Sequence, residues 1–227
     1  MDVTELDIVY ADNHLLAVNK PPGIPTQPAP HHRDSLEETA KAWVKRAYAK
    51  PGAVFLQPAH RLDRPVSGVV LFARTSKALS RLNAAVRSGQ WRKQYWAVVE
   101  RAPDVARGVL THDLVHDAFR ARVVAAGTPG AKTATLEYRV HRRAATGLAL
   151  LVIRLHTGRY HQIRAQLAAG GHAVLGDRKY GSTAALPGAA IALHHRQLIL
   201  EHPVRKLPLR LTAALPRQWP WSEFEQP

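Results

Sequence analysis

The sequence predicts an α+β fold on a mixed or antiparallel central sheet flanked by helices. Three features point there: strand-like segments outnumber helical ones, the two kinds do not alternate strictly along the chain, and one strand pair is separated by a short turn. At 227 residues the chain has the length of one sizeable domain. Its 46% hydrophobic content is enough for a packed interior. No linker or internal repeat interrupts it, so a single domain over 1–227 is expected.

The elements follow in order. Ile8-Val9-Tyr10 and Leu15-Leu16-Ala17-Val18 read as short strands about the turn Ala11-Asp12-Asn13-His14. In Asn19-Lys20-Pro21-Pro22-Gly23-Ile24-Pro25 the prolines and glycine exclude regular structure. A helix starts at Ser35, which forms a capping-box pair with Glu38, and Leu36, Ala40, Val44 and Ala47 give it one apolar face. Pro51-Gly52 ends it. Val69-Val70-Leu71-Phe72-Ala73 is a buried strand. A second helix covers 76–88, with Leu79, Leu82 and Val86 inward and Gly89 as its C-terminal cap. Residues 94–99 are rich in aromatic and β-branched side chains, as strands are. Segments 135–140 and 148–155 form a hairpin around Thr146-Gly147, a third helix covers 159–169, and short strands broken by Pro203 and Pro208 occupy 191–211.

Composition narrows the function. There are 0 cysteines, which excludes disulfides and thiolate chemistry and fits a reducing compartment. The acidic N-terminus lacks the basic start and apolar core of a signal peptide, and no apolar run approaches the ~20 residues of a membrane helix. A soluble, cytoplasmic protein, monomeric and without a membrane partner, is expected. Lys and Arg number 32 against 17 Asp and Glu, a formal net charge of +15. Such an excess attracts polyanions, above all nucleic acid. The arginines form no basic tail. Arg61, Arg64, Arg74, Arg159, Arg164 and Arg178 are spread through the motifs, as in a lined cleft rather than a disordered arm.

Three segments carry candidate chemistry. In His60-Arg61-Leu62-Asp63-Arg64-Pro65-Val66-Ser67-Gly68 one carboxylate lies between two arginines, in a turn leading into the buried strand. Neighbouring positive charge favours its ionised form. Asp63 is thus a candidate nucleophile or charge stabiliser, or else a surface acid whose ion pair ties down a loop. In His156-Thr157-Gly158-Arg159-Tyr160-His161-Gln162-Ile163-Arg164, Gly158 permits a sharp turn from strand to helix. His161 and Arg164 then share one helical face, and with Gln162 they set donors near a helix start, a region that favours anions. A solvated polar face is the bland alternative. In Lys93-Gln94-Tyr95-Trp96-Ala97 a strand tyrosine, Tyr95, follows a basic residue by two positions; it belongs either to the core or to a site.

Together these segments resemble the RluA-type family of RNA pseudouridine synthases. Asn19 to Gly23, His60 to Gly68, Lys93 to Ala97 and Gly158 to Arg164 match in order; Gly176-Asp177-Arg178-Lys179-Tyr180, Leu193-His194-His195 and His202-Pro203 match downstream. The resemblance implies a pseudouridine synthase fold with a central basic cleft. It implies Asp63 as the catalytic aspartate, Arg164 as the arginine that pairs with it, Tyr95 beside the target base, and Arg61 as an aid to base extrusion. Arg64, His60, Arg159, His161 and Gln162 are expected to contact the RNA, a ribosomal or transfer RNA stem-loop. Isomerising uridine oxidises nothing and removes no group, so no cofactor and no metal is expected. Val66 and Tyr160 stand where many members carry threonine, which bears on substrate fit. Since the resemblance starts near residue 1, no N-terminal accessory RNA-binding domain is expected.

Two rivals come from other classes. His112-Asp113 and His116-Asp117, with His31-His32 and His194-His195, could hold a metal for phosphoester hydrolysis; activity surviving a chelator would discount that. A non-catalytic RNA-binding module on the same fold would tolerate Asp63→Asn.

Overall fold

The computed structural model describes residues 6–28 and 34–224. In chain order the elements are β1 (Ile8–Ala11), β2 (Leu15–Lys20), α1 (Leu36–Ala47), β3 (Gln57–Pro58), β4 (Ser67–Ala73), α2 (Ser76–Arg87), β5 (Arg92–Val99), β6 (Arg107–Asp117), β7 (Arg120–Val124), β8 (Lys132–Arg143), β9 (Ala149–Leu155), α3 (Gln162–Ala169), β10 (Leu193–Glu201) and β11 (Pro208–Thr212). Strands dominate, with few helices, as an α+β fold requires. Residue contacts divide the chain into two compact units, one up to Trp91 with His195–Ala214, the other Arg92–His194 with the residues from Leu215 onward. Among the described residues no helix is long and apolar enough to cross a membrane.

In the first unit the strands run β1–β2–β4–β10, with β3 on β4 and β11 on β10. All seven residues of β4 are buried, which is why it reads as a continuous apolar run rather than an alternating one. Strand β2 pairs antiparallel with β4 from Leu15↔Ala73 to Lys20↔Gly68. It therefore continues through Asn19 and Lys20, two residues further into the proline-rich segment than expected, because the prolines begin only at Pro21. Leu15, Ala17, Val69 and Leu71 pack with Leu82 of α2 and with Leu198, Leu200 and Leu211 in one core. Each large side chain fully buried there stabilises the fold by about 1.5–3 kcal/mol.

Both helices of this unit are capped locally. Ser35 accepts from the Glu38 N–H at 3.3 Å, and Thr75 from the Ala78 N–H at 3.1 Å. Leu36, Ala40 and Val44 are buried as expected, whereas Ala47 is exposed. Val86 is also exposed, although Leu82 on the same face is fully buried. In both helices the exposure of the apolar face is confined to the final residues, since Val44 of α1 is buried and Ala85 of α2 packs against the core.

In the second unit the strands run β5–β9–β8–β6–β7. Its pairs β5–β9, β8–β9, β6–β8 and β6–β7 are all antiparallel, and the expected β8–β9 hairpin is present. Strands β6 and β7 were not anticipated. Of the 11 residues in β6 Leu114 alone is buried, so no hydrophobic period marks it. Helix α3 begins at Gln162, three residues later than expected.

Candidate active site

Asp63 lies half-buried on the loop before β4, and backbone bonds hold that loop on both sides of it. Thr26 donates its hydroxyl to Leu62 O at 3.0 Å and accepts from Leu62 N–H at 3.1 Å. Val66 N–H donates to Asp63 O at 3.1 Å, closing the turn. Gly23 N–H donates to Arg64 O at 2.8 Å, and Arg64 Nε returns a bond to Gly23 O at 2.8 Å. The irregular Pro21–Pro25 segment is thereby stitched to the Asp63 loop.

Beneath both lies Lys20, 0% exposed. Its Nζ donates to Pro21 O at 2.9 Å, Ile24 O at 2.9 Å and Arg64 O at 3.1 Å, so the three protons of the ammonium have three acceptors. Burial pushes the Lys20 pKa down to about 7, against the opposing pull of the Asp63 charge. The loop ends at Gly68, whose φ of +112 favours glycine and whose missing Cβ would stand 2.4 Å from His195 O.

His60 faces inward. Its Nε2 accepts from Leu71 N–H at 3.2 Å, so the proton of the neutral ring sits on Nδ1. Its ring meets those of Trp91 and His195 edge-on at 5.6 and 5.3 Å. His195 donates from Nδ1 to Val69 O at 2.7 Å. The two histidines thus serve backbone groups of β4. Arg61 and Arg64 are both exposed beside Asp63.

In the second unit Tyr95 is buried on β5, opposite Ile153 of β9. Lys93 lies two residues earlier on the same strand face, where burial holds its ammonium below the usual lysine range. The turn into α3 differs from the expected one. Gly158 has no positive φ; the left-handed residue is His161, with φ 49, and it stands at the N-cap. His161 and Arg164 are therefore not a helical i, i+3 pair. Gln162 Oε1 accepts from Thr157 Oγ1 at 2.8 Å and from Arg159 N–H at 3.0 Å, while its Nε2 donates to Thr135 O at 3.1 Å. These bonds commit a buried amide to fixing the turn, where an RNA contact was expected. Arg159 is exposed and donates from Nε to Thr133 O at 3.1 Å.

Arg164 is 5% exposed and Asp177 1%. They form a two-bond fork, Nε to Oδ2 at 2.6 Å and Nη2 to Oδ1 at 2.9 Å. A guanidinium has five N–H donors, so the fork fixes its plane and leaves others to act elsewhere. The Tyr180 ring lies 4.9 Å from Arg164 Cζ. Tyr180 Oη accepts from Ala121 N–H at 2.7 Å and is hydrogen-bonded to His161 Nδ1 at 2.9 Å. His161 in turn stacks on Tyr160 at 3.9 Å.

Lys20, Asp177 and Tyr180 sit in the matching motifs, but their positions in sequence assign them no role. Nothing in the spacing of Asp177, 13 residues after Arg164, marks it as the arginine's anchor. The histidines of the metal rival have other partners: His112 Nδ1 lies 3.2 Å from Gln166 Nε2, and the His116 ring lies tilted against that of Tyr160 at 4.2 Å. Asp113 accepts from Thr133, and Asp117 pairs with Arg122. His31 and His32 lie outside the described residues. Among the described residues no three His, Asp or Glu side chains are grouped to hold a metal.

A braced carboxylate loop, an oriented buried arginine and a strongly cationic chain define an enzyme acting on a polyanion. Residues 14–169 match the model of the RNA pseudouridylate synthase family, and the chain belongs to that family: it is an RNA pseudouridine synthase, an isomerase. Dual-specificity RNA pseudouridine synthase RluA of Escherichia coli is 35% identical over 201 residues, covering 87% of this chain and 88% of the relative. Ribosomal large subunit pseudouridine synthase D of Xylella fastidiosa is 35% identical over 225 residues, covering 93% of this chain and 66% of the relative. Among solved structures, human RNA pseudouridylate synthase domain containing 4 superposes with a TM-score of 0.77 at 26% identity, covering 92% of this chain and 88% of that one.

Proposed function

We propose that this synthase isomerises uridines in stem-loops of ribosomal or transfer RNA in the cytoplasm, with Asp63 as the reacting carboxylate, Arg164 as the compensating guanidinium and Tyr95 beside the uracil. The bracing of the Asp63 loop carries the reading: Thr26, Gly23 and Lys20 hold the residues around a charged, half-buried group, which is the preorganisation that electrostatic and covalent catalysis need. The names of the two bacterial relatives, one dual-specific and one ribosomal, support the substrate class.

The reaction breaks the C1′–N1 bond, turns the uracil and forms a C1′–C5 bond; C5 gives up its proton and N1 gains one. Electrons balance without a redox partner. The Asp63 carboxylate attacks C1′, adds to the uracil ring, or stabilises a cationic sugar while the base turns. A stacked uridine must first leave the helix, at a cost of a few kcal/mol. Arg61 and Arg64, exposed on the same loop, are placed to hold flanking phosphates, and Arg61 to fill the vacated stack. Arg159 is a further phosphate contact, and His161, braced by Tyr180, shapes the turn that carries Arg164.

Asp63→Asn tests this. Pseudouridine mapped in total RNA from a deletion strain should be missing at one or a few sites, restored by the wild-type gene and not by Asp63→Asn. Restoration by the variant would overturn the assignment of Asp63.

A further inference from the structure

Successive residues of a strand point to opposite faces, and directly opposed residues share one. The register therefore sorts the second unit's sheet. Tyr95 and Ile153 lie on one face. On the other, Trp96 and Gln94 of β5 stand opposite Val152 and Arg154 of β9, these stand opposite Arg139 and Glu137 of β8, and these stand opposite Arg107 and Val109 of β6. That second face holds an open depression of about 570 Å³ lined by Arg107, Val109, Glu137, Arg139, Val152 and Arg154.

Of its three arginines, Arg154 is paired with Glu137. Arg107 and Arg139 are direct cross-strand partners, an arrangement that costs stability because like charges directly opposite repel. Glu137, the acid among the lining residues, is bonded to His156 Nε2 at 2.8 Å and lies 3.8 Å from Arg154. Next to the depression the positive field reaches His141: burial first, then Arg139 and Arg142, hold its pKa below the usual value. The Trp96 ring lies 5.4 Å from the His141 ring. Val109 is 61% exposed.

We infer that this face, turned away from Tyr95, is a second RNA-contact surface that grips phosphates of the substrate outside the target nucleotide. The inference rests on the reading of the chain as an enzyme of RNA. Arginines held on adjacent strands, ~4.8 Å apart, present guanidinium forks that match phosphate oxygens. Trp96 adds an aromatic ring at the margin of the same surface. The carboxylates of an acidic peptide match the same forks; RNA is the occupant inferred because the chain belongs to a family of RNA enzymes.

The test compares the full-length wild type, the Arg107→Gln/Arg139→Gln/Arg154→Gln variant and the same three positions changed to Lys. The probe is end-labelled unfractionated tRNA, titrated over a range of salt. Loss of three phosphate contacts should flatten the slope of log affinity against log salt by about 2–3. The Lys variant should restore it. Pseudouridine formation at saturating RNA should stay within about twofold of wild type while KM rises, as expected when ground-state and transition-state binding fall together. An unflawed fold is checked by Arg139→Gln alone, whose thermal midpoint should equal or exceed that of wild type. An unchanged salt slope in the Gln variant overturns the inference, as does loss of polyglutamate binding with tRNA binding intact. Neither result touches the role of Asp63, which fails only if Asp63→Asn still makes pseudouridine.

Discussion

At Lys20 three ammonium protons meet three carbonyls, each from a segment without regular structure of its own. Lys20→Met leaves those carbonyls without their donor, and the expected loss is about 2–5 kcal/mol in urea denaturation. The charge also makes stability depend on pH. The folded pKa, about 7, lies below the unfolded value of ~10.4. Between the two the unfolded chain binds more protons, so stability rises with pH across that window. Below it both states hold the proton and the burial cost is present in full; above it both are neutral and that cost is gone. Wild-type stability measured relative to Lys20→Met should therefore grow from neutral pH to ~10; a flat difference would mean that Lys20 keeps its ordinary affinity for the proton. Asp177 works by the same logic on Arg164. Asp177→Ala leaves a buried guanidinium without its fork, at an expected cost of about 3–5 kcal/mol in thermal or urea unfolding. Neither role could be read from the sequence, although both residues sit in recognisable motifs. Each depends on where a distant backbone or side chain comes to rest.

Among the elements, those fixed by local rules were legible and those fixed by their neighbours were not. The Ser35 cap is a contact between residues three apart, and β4 announces itself through its unbroken apolar run from Val69 to Ala73. By contrast, the exposed ends at Ala47 and Val86 depend on how far the rest of the unit extends over each helix. The late start of α3 depends on a left-handed His161 secured by Tyr180, 19 residues away. Gly68 shows the same dependence at a strand end. A Cβ there would meet His195 backbone atoms at 2.4–2.7 Å, with φ at +112. Backbone held in a sheet cannot step aside as a side chain does. Gly68→Ala should cost about 2–5 kcal/mol, strain and overpacking together, and should lower activity by displacing the Asp63 loop. Gly52→Ala, with nothing within 4 Å of the added atom, is the matched control and should leave the thermal midpoint nearly unchanged.

For the whole molecule the net charge of +15 separates binding from chemistry. Affinity for RNA comes from phosphates neutralised and counterions released, whereas the proposed chemistry rests on one carboxylate, Asp63. Asp63→Asn removes a negative charge, so RNA affinity should hold or rise slightly while turnover is lost. Arg61 and Arg64 on the Asp63 loop, with Arg107, Arg139 and Arg154 on the second unit's sheet, make five candidate phosphate contacts. Five contacts correspond to a salt slope of about −3.5 to −4.5. Independent contacts add, so Arg61→Gln/Arg64→Gln should remove about 1.5–2 from that slope and the sheet variant about 2–3, with the combined variant losing the sum. The two sets should part in turnover. With the loop arginines proposed to act beside the reacting nucleotide, their loss should lower kcat as well as affinity, whereas loss of the sheet arginines should raise KM alone. A slope that stays near −4 in the combined variant would move the RNA footprint to other basic residues, with the role of Asp63 unaffected.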